Sequence, residues 1–193
     1  MGSAVVDDAA WPMATRRRML DVAMKLFSQY SFAGTSLQMI ADELDLTKAA
    51  IYYHFRTREQ LLIALMQPIL SEIGVVVQTA ELRRGARARA EAMLVGYADI
   101  VARNRSLAAV TVFDPSVGSV LKNQPEWAAL IDRQLALLAA AGPAASGGIN
   151  AAVVMTGLAG AASTADPQLA DDALREQLID VGRRVLGLPA SKH

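Results

Sequence analysis

The 193-residue sequence predicts an all-α protein, and three observations carry that prediction. Apolar residues recur at helical spacing along most of the chain, and no segment sustains the period-two alternation of a half-buried strand. Hydrophobic residues make up 53% of the chain but aromatic residues only 5%, so the core is built mainly from Ala, Val, Leu, Ile and Met. Of these, Ala, Leu and Met lose little on entering a helix. Proline and glycine pairs then cut the second half into helix-sized pieces, at Asp114-Pro115, Gln124-Pro125, Gly142-Pro143 and Asp166-Pro167.

The first helix is predicted from about Ala14 to Tyr30, where Met19, Leu20, Ala23, Leu26 and Phe27 form one apolar stripe. Ser31-Phe32-Ala33-Gly34 breaks it. Thr35-Ser36 offers an N-cap to a short second helix carrying Leu37, Ile40, Ala41 and Leu44. After the short connection Asp45-Leu46, Thr47 caps a third helix that turns Ala50, Ile51 and Phe55 inward. Arg56-Thr57 ends it. Thr57 followed by Gln60 is a capping-box pattern for a fourth helix reaching about Thr79, bent near Pro68. Further helices are expected near 84–103, 106–112, 124–141, 148–163 and 168–187. The predicted organisation is a tail over 1–11, a helix-turn-helix domain over 12–60, a helical domain over 61–188 and a tail over 189–193. The junction falls inside the fourth helix, which makes that helix the expected lever between the two domains.

Composition excludes several classes of function. The chain has no cysteine, so disulfides and thiolate metal sites are ruled out. Its two histidines, His54 and His193, give no metal pair, and no metal or other cofactor is expected. A nucleophile with a partnered base and a Gly-rich phosphate loop are both missing from the pattern, so no catalytic residues are assigned and the chain is not read as an enzyme. The opening residues place acids where a signal peptide carries bases, which points to a cytoplasmic protein. The uncharged run from Gln134 to Ala165 is broken by Gly142-Pro143 and Gly147-Gly148. A membrane span needs about 20 continuous apolar residues, so this run reads as a buried or subunit-facing helix and no membrane partner is expected. Formal net charge is zero. Residues 11–70 carry seven basic and five acidic side chains, a mild excess of +2.

The row Tyr52-Tyr53-His54-Phe55 lies between Lys48 and the pair Arg56 and Arg58. A core has no use for such a row, because each buried hydroxyl or ring nitrogen needs a partner. A surface that grips phosphates and base edges does. Two short helices joined by a tight turn make a helix-turn-helix, whose second helix enters the major groove N-terminus first. With Ile51 and Phe55 inward, Lys48, Ala49, Tyr52 and Tyr53 face outward. Lys48 suits a guanine edge or a phosphate, and Ala49 a thymine methyl. Thr47, Tyr52, Tyr53 and His54 can donate to phosphate oxygens. Arg58 opens the next helix where free amides converge on a phosphate, and Ser36 and Gln38 anchor the other side. One of Arg16, Arg17 and Arg18 is expected to meet phosphate as well.

Residues 14–65, and above all "TSLQMIADELDLTKAAIYYHFRTREQL", resemble the N-terminal domain of the TetR family of transcriptional regulators. The resemblance implies a homodimer that reads a near-palindromic operator in double-stranded DNA. It also implies a divergent C-terminal domain that binds a small ligand and releases DNA. It maps Lys48, Tyr52, Tyr53 and His54 onto recognition-helix and flanking contacts, Ser36 and Gln38 onto contacts at the start of the second helix, and Arg58 onto a phosphate-contacting lysine. Two departures stand out: Asp45 occupies the turn position that usually carries Gly, and Arg58 replaces Lys.

In the C-terminal part, the large groups Met93, Tyr97, Trp127, Ile131 and Met155 are candidates to face a ligand, with Phe113 and Asp114 beside them. Leu174, Leu178, Val181 and Val185 form a stripe at i, i+4, i+7 and i+11, and Val153, Gly157, Gly160 and Ala161 a small-residue face. A four-helix bundle across a twofold axis would bury both. The function expected is a ligand-responsive regulator, a repressor released by a small apolar or aromatic molecule. The alternatives are the same fold working without a small ligand, and a helical ligand-binding or interaction module that no longer reads DNA.

Overall fold

The computed structural model describes residues 10–190. The described residues form helices joined by short connections: α1 (Ala10–Gly34), α2 (Leu37–Glu43), α3 (Lys48–His54), α4 (Arg58–Glu81), α5 (Ala86–Arg103), α6 (Arg105–Phe113), α7 (Pro115–Lys122), α8 (Pro125–Ala139), α9 (Ala144–Thr164) and α10 (Asp171–Leu186). The all-α prediction is met. His193 and residues 1–9 of the expected tail lie outside the described residues. Helix α1 begins at Ala10 rather than Ala14, with Pro12 in its first turn, where a missing N–H costs no hydrogen bond. The chain divides into two compact units, Met1–Leu65 and Met66–His193.

Unit 1 has a core of Met19, Ala23, Leu26, Phe27, Phe32, Ile40, Ala41, Ile51, Phe55, Leu61 and Leu62, all buried. Phe27 and Phe32 meet edge to face with ring centroids 5.2 Å apart, the geometry that the ring quadrupoles favour. Between these two rings the helical path of α1 fails at Ser31, which has φ 65° and ψ 163°. That region is essentially a glycine conformation. Ser31 is held there locally: its hydroxyl accepts from Gly34 N at 3.1 Å and its carbonyl from Thr35 Oγ1 at 2.8 Å.

The turn between α2 and α3 closes as a Schellman motif. Leu46 N donates to Ala41 O at 2.9 Å and Asp45 N to Asp42 O at 3.3 Å, while Asp45 takes φ 52°. This is the left-handed position that glycine fills most cheaply. Asp45 therefore supports the turn at some conformational cost. Ser36 accepts from Met39 N and Thr47 from Ala50 N, each at 3.2 Å, so both short helices start on side-chain caps. Thr57 accepts from Gln60 N at 3.2 Å, and the Gln60 side chain accepts in turn from Arg56 N at 2.8 Å.

Unit 2 packs around α5, whose Ala90, Met93, Leu94, Tyr97, Ala98, Ile100 and Val101 are buried, with α8, α9 and α10 against it. Three glycines mark close helix approaches. A Cβ on Gly182 of α10 would stand 2.3 Å from a Leu94 methyl, one on Gly96 of α5 2.4 Å from a Val76 methyl, and one on Gly147 of α9 2.4 Å from the Ala139 carbonyl. Gly147-Gly148 consequently lies inside α9 instead of breaking it, because the helix crosses the end of α8 at a distance only glycine permits. Arg105 fastens the α9–α10 connection to α6 by donating to Asp166 O at 3.1 Å, Leu169 O at 2.6 Å and Asp171 Oδ1 at 2.7 Å. By length and composition alone α4 and α9 are apolar enough to cross a membrane.

Two readings of this part change. Asp114-Pro115 is a helix start as well as an end: Asp114 accepts from Ser116 N at 3.0 Å and Pro115 opens α7, an element the sequence reading omitted. The apolar stripe on α10 is split. Leu174 and Leu178 are buried within the unit, where α10 packs on α5 and α9, so they are not free to face a second subunit. Val181 is 44% exposed and Val185 half-buried.

Candidate nucleic-acid interface and ligand cavity

In unit 1, α3 turns Ile51 into the core and leaves Lys48, Ala49, Tyr52 and Tyr53 on its outer side, with the cap Thr47 exposed beside them. Tyr53 is 82% exposed, an uncommon position for a large ring in a helix that has a core to fill. Tyr52 is 42% exposed and has the Lys48 ammonium 5.6 Å from its ring centroid. His54, half-buried, meets Tyr53 edge to face at 5.1 Å. The face thus offers two phenolic hydroxyls, one ammonium and one methyl side chain. These groups can donate to phosphate oxygens and touch base edges. Ser36 and Gln38 are exposed at the start of α2, with Gln38 Nε2 donating to Asp42 Oδ1 at 2.7 Å. Arg16, Arg17 and Arg18 are exposed on α1, and the Arg16 guanidinium lies 4.9 Å from the Phe55 ring centroid.

Arg58 differs from its expected role. Its guanidinium donates to Ala33 O at 2.6 Å and Phe32 O at 3.3 Å, pairs with Glu59 at 3.2 Å and stacks on the Phe32 ring. The cation is turned inward to hold the irregular end of α1 against the start of α4, and it is not displayed for a phosphate. A planar, forked cation can lay its face on a ring while its edge donates to carbonyls and a carboxylate, a pre-organised geometry that a compact ammonium lacks.

In unit 2, side chains from α4 to α9 line a partly open cavity of about 340 Å³. Tyr97, Trp127, Ile131 and Met155 line it, together with Met66, Ile69 and Ile73 of α4, Leu107 and Thr111 of α6, and Gln134 of α8. Tyr97 donates to Met155 O at 2.7 Å, and burial pushes its hydroxyl pKa well above the ordinary tyrosine value. The other three candidates do not line it. Met93 is fully buried in the core around α5, Phe113 is 63% exposed at the end of α6, and Asp114 is occupied as the cap of α7. The α4 residues and Gln134 were not among the ligand-facing candidates expected from the sequence. Trp127, Ile131 and Gln134 follow at i, i+4 and i+7, so a polar residue on an apolar helical stripe was the available signal.

On α9, Val153, Gly157 and Ala161 are exposed and Gly160 half-buried, with Ile149 68% exposed one turn earlier.

Residues 19–65, which span this helix-turn-helix, match the model of the bacterial regulatory proteins of the tetR family. Residues 19–65 are thus a helix-turn-helix domain of the TetR type. The HTH-type transcriptional regulator AcrR of Shigella flexneri is 42% identical over 60 residues, 31% of this chain and 28% of that protein. The alignment thus spans less than a third of the curated relative's length. Among solved structures, a TetR/AcrR-family transcriptional regulator of Thermobifida fusca is similar over 90% of this chain and 97% of its own, with 26% identity and a TM-score of 0.55. The ketosteroid transcriptional regulator KstR2 of Mycobacterium tuberculosis matches at 15% identity and a TM-score of 0.69 over 90% of this chain and 93% of that chain, a likeness of fold. The family match is confined to the helix-turn-helix, and over the rest of the chain the likeness is to solved structures.

Proposed function

We propose that the protein is a sequence-specific DNA-binding transcriptional regulator, a cytoplasmic repressor that leaves a near-palindromic operator when a small apolar or aromatic molecule binds. The observation that carries the reading is the outer face of α3, where Lys48, Ala49, Tyr52 and Tyr53 stand exposed on a short helix capped by Thr47 and entered through the Asp45 turn. Selection of bound duplexes from a random pool at near-physiological salt tests it. Enrichment of one inverted repeat is expected. Binding without enrichment that vanishes as salt rises would reduce the protein to a backbone-only binder.

The apolar cavity favours a ligand-responsive regulator over one that works without a small molecule. The mechanism is a coupling free energy: a ligand that lowers affinity for DNA must itself be bound less tightly by the DNA complex, by the same factor. Titrating a bound effector against the operator complex checks that reciprocity. The exposed Val153, Gly157 and Ala161 of α9, with Val181 of α10, support a homodimer, since small residues let two helices approach closely. Sedimentation of the wild type against Gly157→Arg tests this: a dimer that persists in the variant would move the interface elsewhere.

A further inference from the structure

We infer that the unit 2 cavity selects an apolar ligand bearing one hydrogen-bond acceptor of the carbonyl type, and that the Gln134 side-chain amide is the group that reads it. This rests on the cavity being the effector site. Gln134 is 1% exposed, lies on the cavity wall, and its Nε2 has no hydrogen-bond partner. A buried amide donor left unpaired is costly, so such a group in a cavity wall is waiting for an acceptor. The other neutral polar side chains of the wall each donate within the protein: Tyr97 to Met155 O, Thr111 to Leu107 O and Ala108 O, Thr156 to Ala152 O, and Asn104 Nδ2 to Ile100 O. The wall carries no carboxylate, and its one charged residue, Lys122, is itself a cation. A cationic ligand would therefore enter an apolar space with nothing to compensate its charge. A site built around one buried hydrogen-bonding group discriminates strongly against the analogue that lacks the complementary atom.

Three probes of matched shape test this on the full-length protein by calorimetry: benzophenone, diphenylmethane and protonated diphenylmethylamine. The expected order is benzophenone tightest, about tenfold over diphenylmethane, with the amine weakest. In Gln134→Leu the ketone should fall to the level of the hydrocarbon while the hydrocarbon is unchanged. Gln134→Met, closer in shape, gives the same comparison if the leucine variant does not fold. Equal binding of ketone and hydrocarbon by the wild type, a ketone preference that survives in either variant, or preferential binding of the amine would each overturn the inference while leaving the cavity a ligand site. Failure of all three probes to bind would overturn both.

Discussion

The Arg58 guanidinium carbon lies 4.9 Å from the centroid of the Phe32 ring while the same group donates to the Phe32 and Ala33 carbonyls. One cation thus closes an irregular stretch that has no regular helix to satisfy its carbonyls. Arg58→Met should destabilise unit 1 by about 1–2 kcal/mol, from the lost stack and carbonyl bonds together. DNA affinity should drop with the fraction of folded unit, but the slope of log affinity against log salt should stay the same. A phosphate contact would instead reduce that slope by about one. A salt titration of both proteins decides between the two roles.

Asp45 holds φ 52° at the position where the α2 Schellman motif asks for glycine. Asp45→Gly removes a left-handed side chain and should raise stability by about 0.5–1 kcal/mol. It also removes an exposed negative charge from the turn that precedes the proposed reading helix, so affinity for operator DNA should rise, most visibly at low salt. Thermal unfolding and a binding titration on the same variant read the two effects. An Asp45→Gly protein that melts lower than wild type would mean that the carboxylate supports the turn.

Ser31 sits at φ 65° and ψ 163°, a conformation that costs a non-glycine residue on the order of 1–3 kcal/mol. Its hydroxyl recovers part of that through Gly34 N. Ser31→Gly should therefore gain about 1 kcal/mol net, and Ser31→Ala, which keeps the strain and loses the bond, should lose about as much. If the alanine variant proves the more stable in denaturant titrations, the strain is not where the backbone angles place it.

How far the fold was legible depended on whether the deciding interaction was local. Thr47, Thr57 and Ser36 act within a few residues of themselves, so their capping roles could be read directly from spacing. Periodicity also placed Ile51 inside and Tyr53 outside. Arg58 could not be assigned this way, because its partners at Phe32 and Ala33 lie more than twenty residues away. Gly147-Gly148 looked like a break for the same reason: its explanation is the Ala139 carbonyl of a neighbouring helix. Leu174 and Leu178 form the expected stripe, but a stripe does not say whether it packs on its own chain or on another. Asp114-Pro115 was a different kind of miss, since a cap followed by proline starts a helix as readily as it ends one. In the cavity, the large groups Tyr97, Trp127, Ile131 and Met155 drew attention by size, whereas Gln134 required noticing a polar residue on an apolar face.

Gly147 approaches a backbone carbonyl, which cannot rotate away as a side chain can. Gly147→Ala should push α9 from α8 and cost about 1–3 kcal/mol, the usual penalty of overpacking. Gly148→Ala, the next residue of α9, exposed, with nothing within 4 Å of its Cβ and outside the proposed dimer face, is the matched control and should be neutral or slightly stabilising through helix propensity. Equal melting temperatures for the two variants would show that α9 does not need the close crossing.

Tyr97 provides a pH test of cavity burial. Its folded pKa is raised by burial above the ordinary value of 10.0. Below about pH 10 the hydroxyl keeps its proton in both folded and unfolded states and adds nothing to the pH slope. Above that, the unfolded chain loses the proton while the folded chain retains it. The unfolded state then binds fewer protons, and stability falls with rising pH by up to about 1.4 kcal/mol per unit. Tyr97→Phe keeps the ring and removes both the titration and the bond to Met155 O. Near pH 8 the variant should be the less stable by about 1 kcal/mol. Near pH 11 the gap should close or reverse, because only the wild type carries this alkaline penalty. Denaturant unfolding of both proteins at the two pH values measures the difference, and a gap that stays constant would mean that the hydroxyl titrates alike in the folded and unfolded chains.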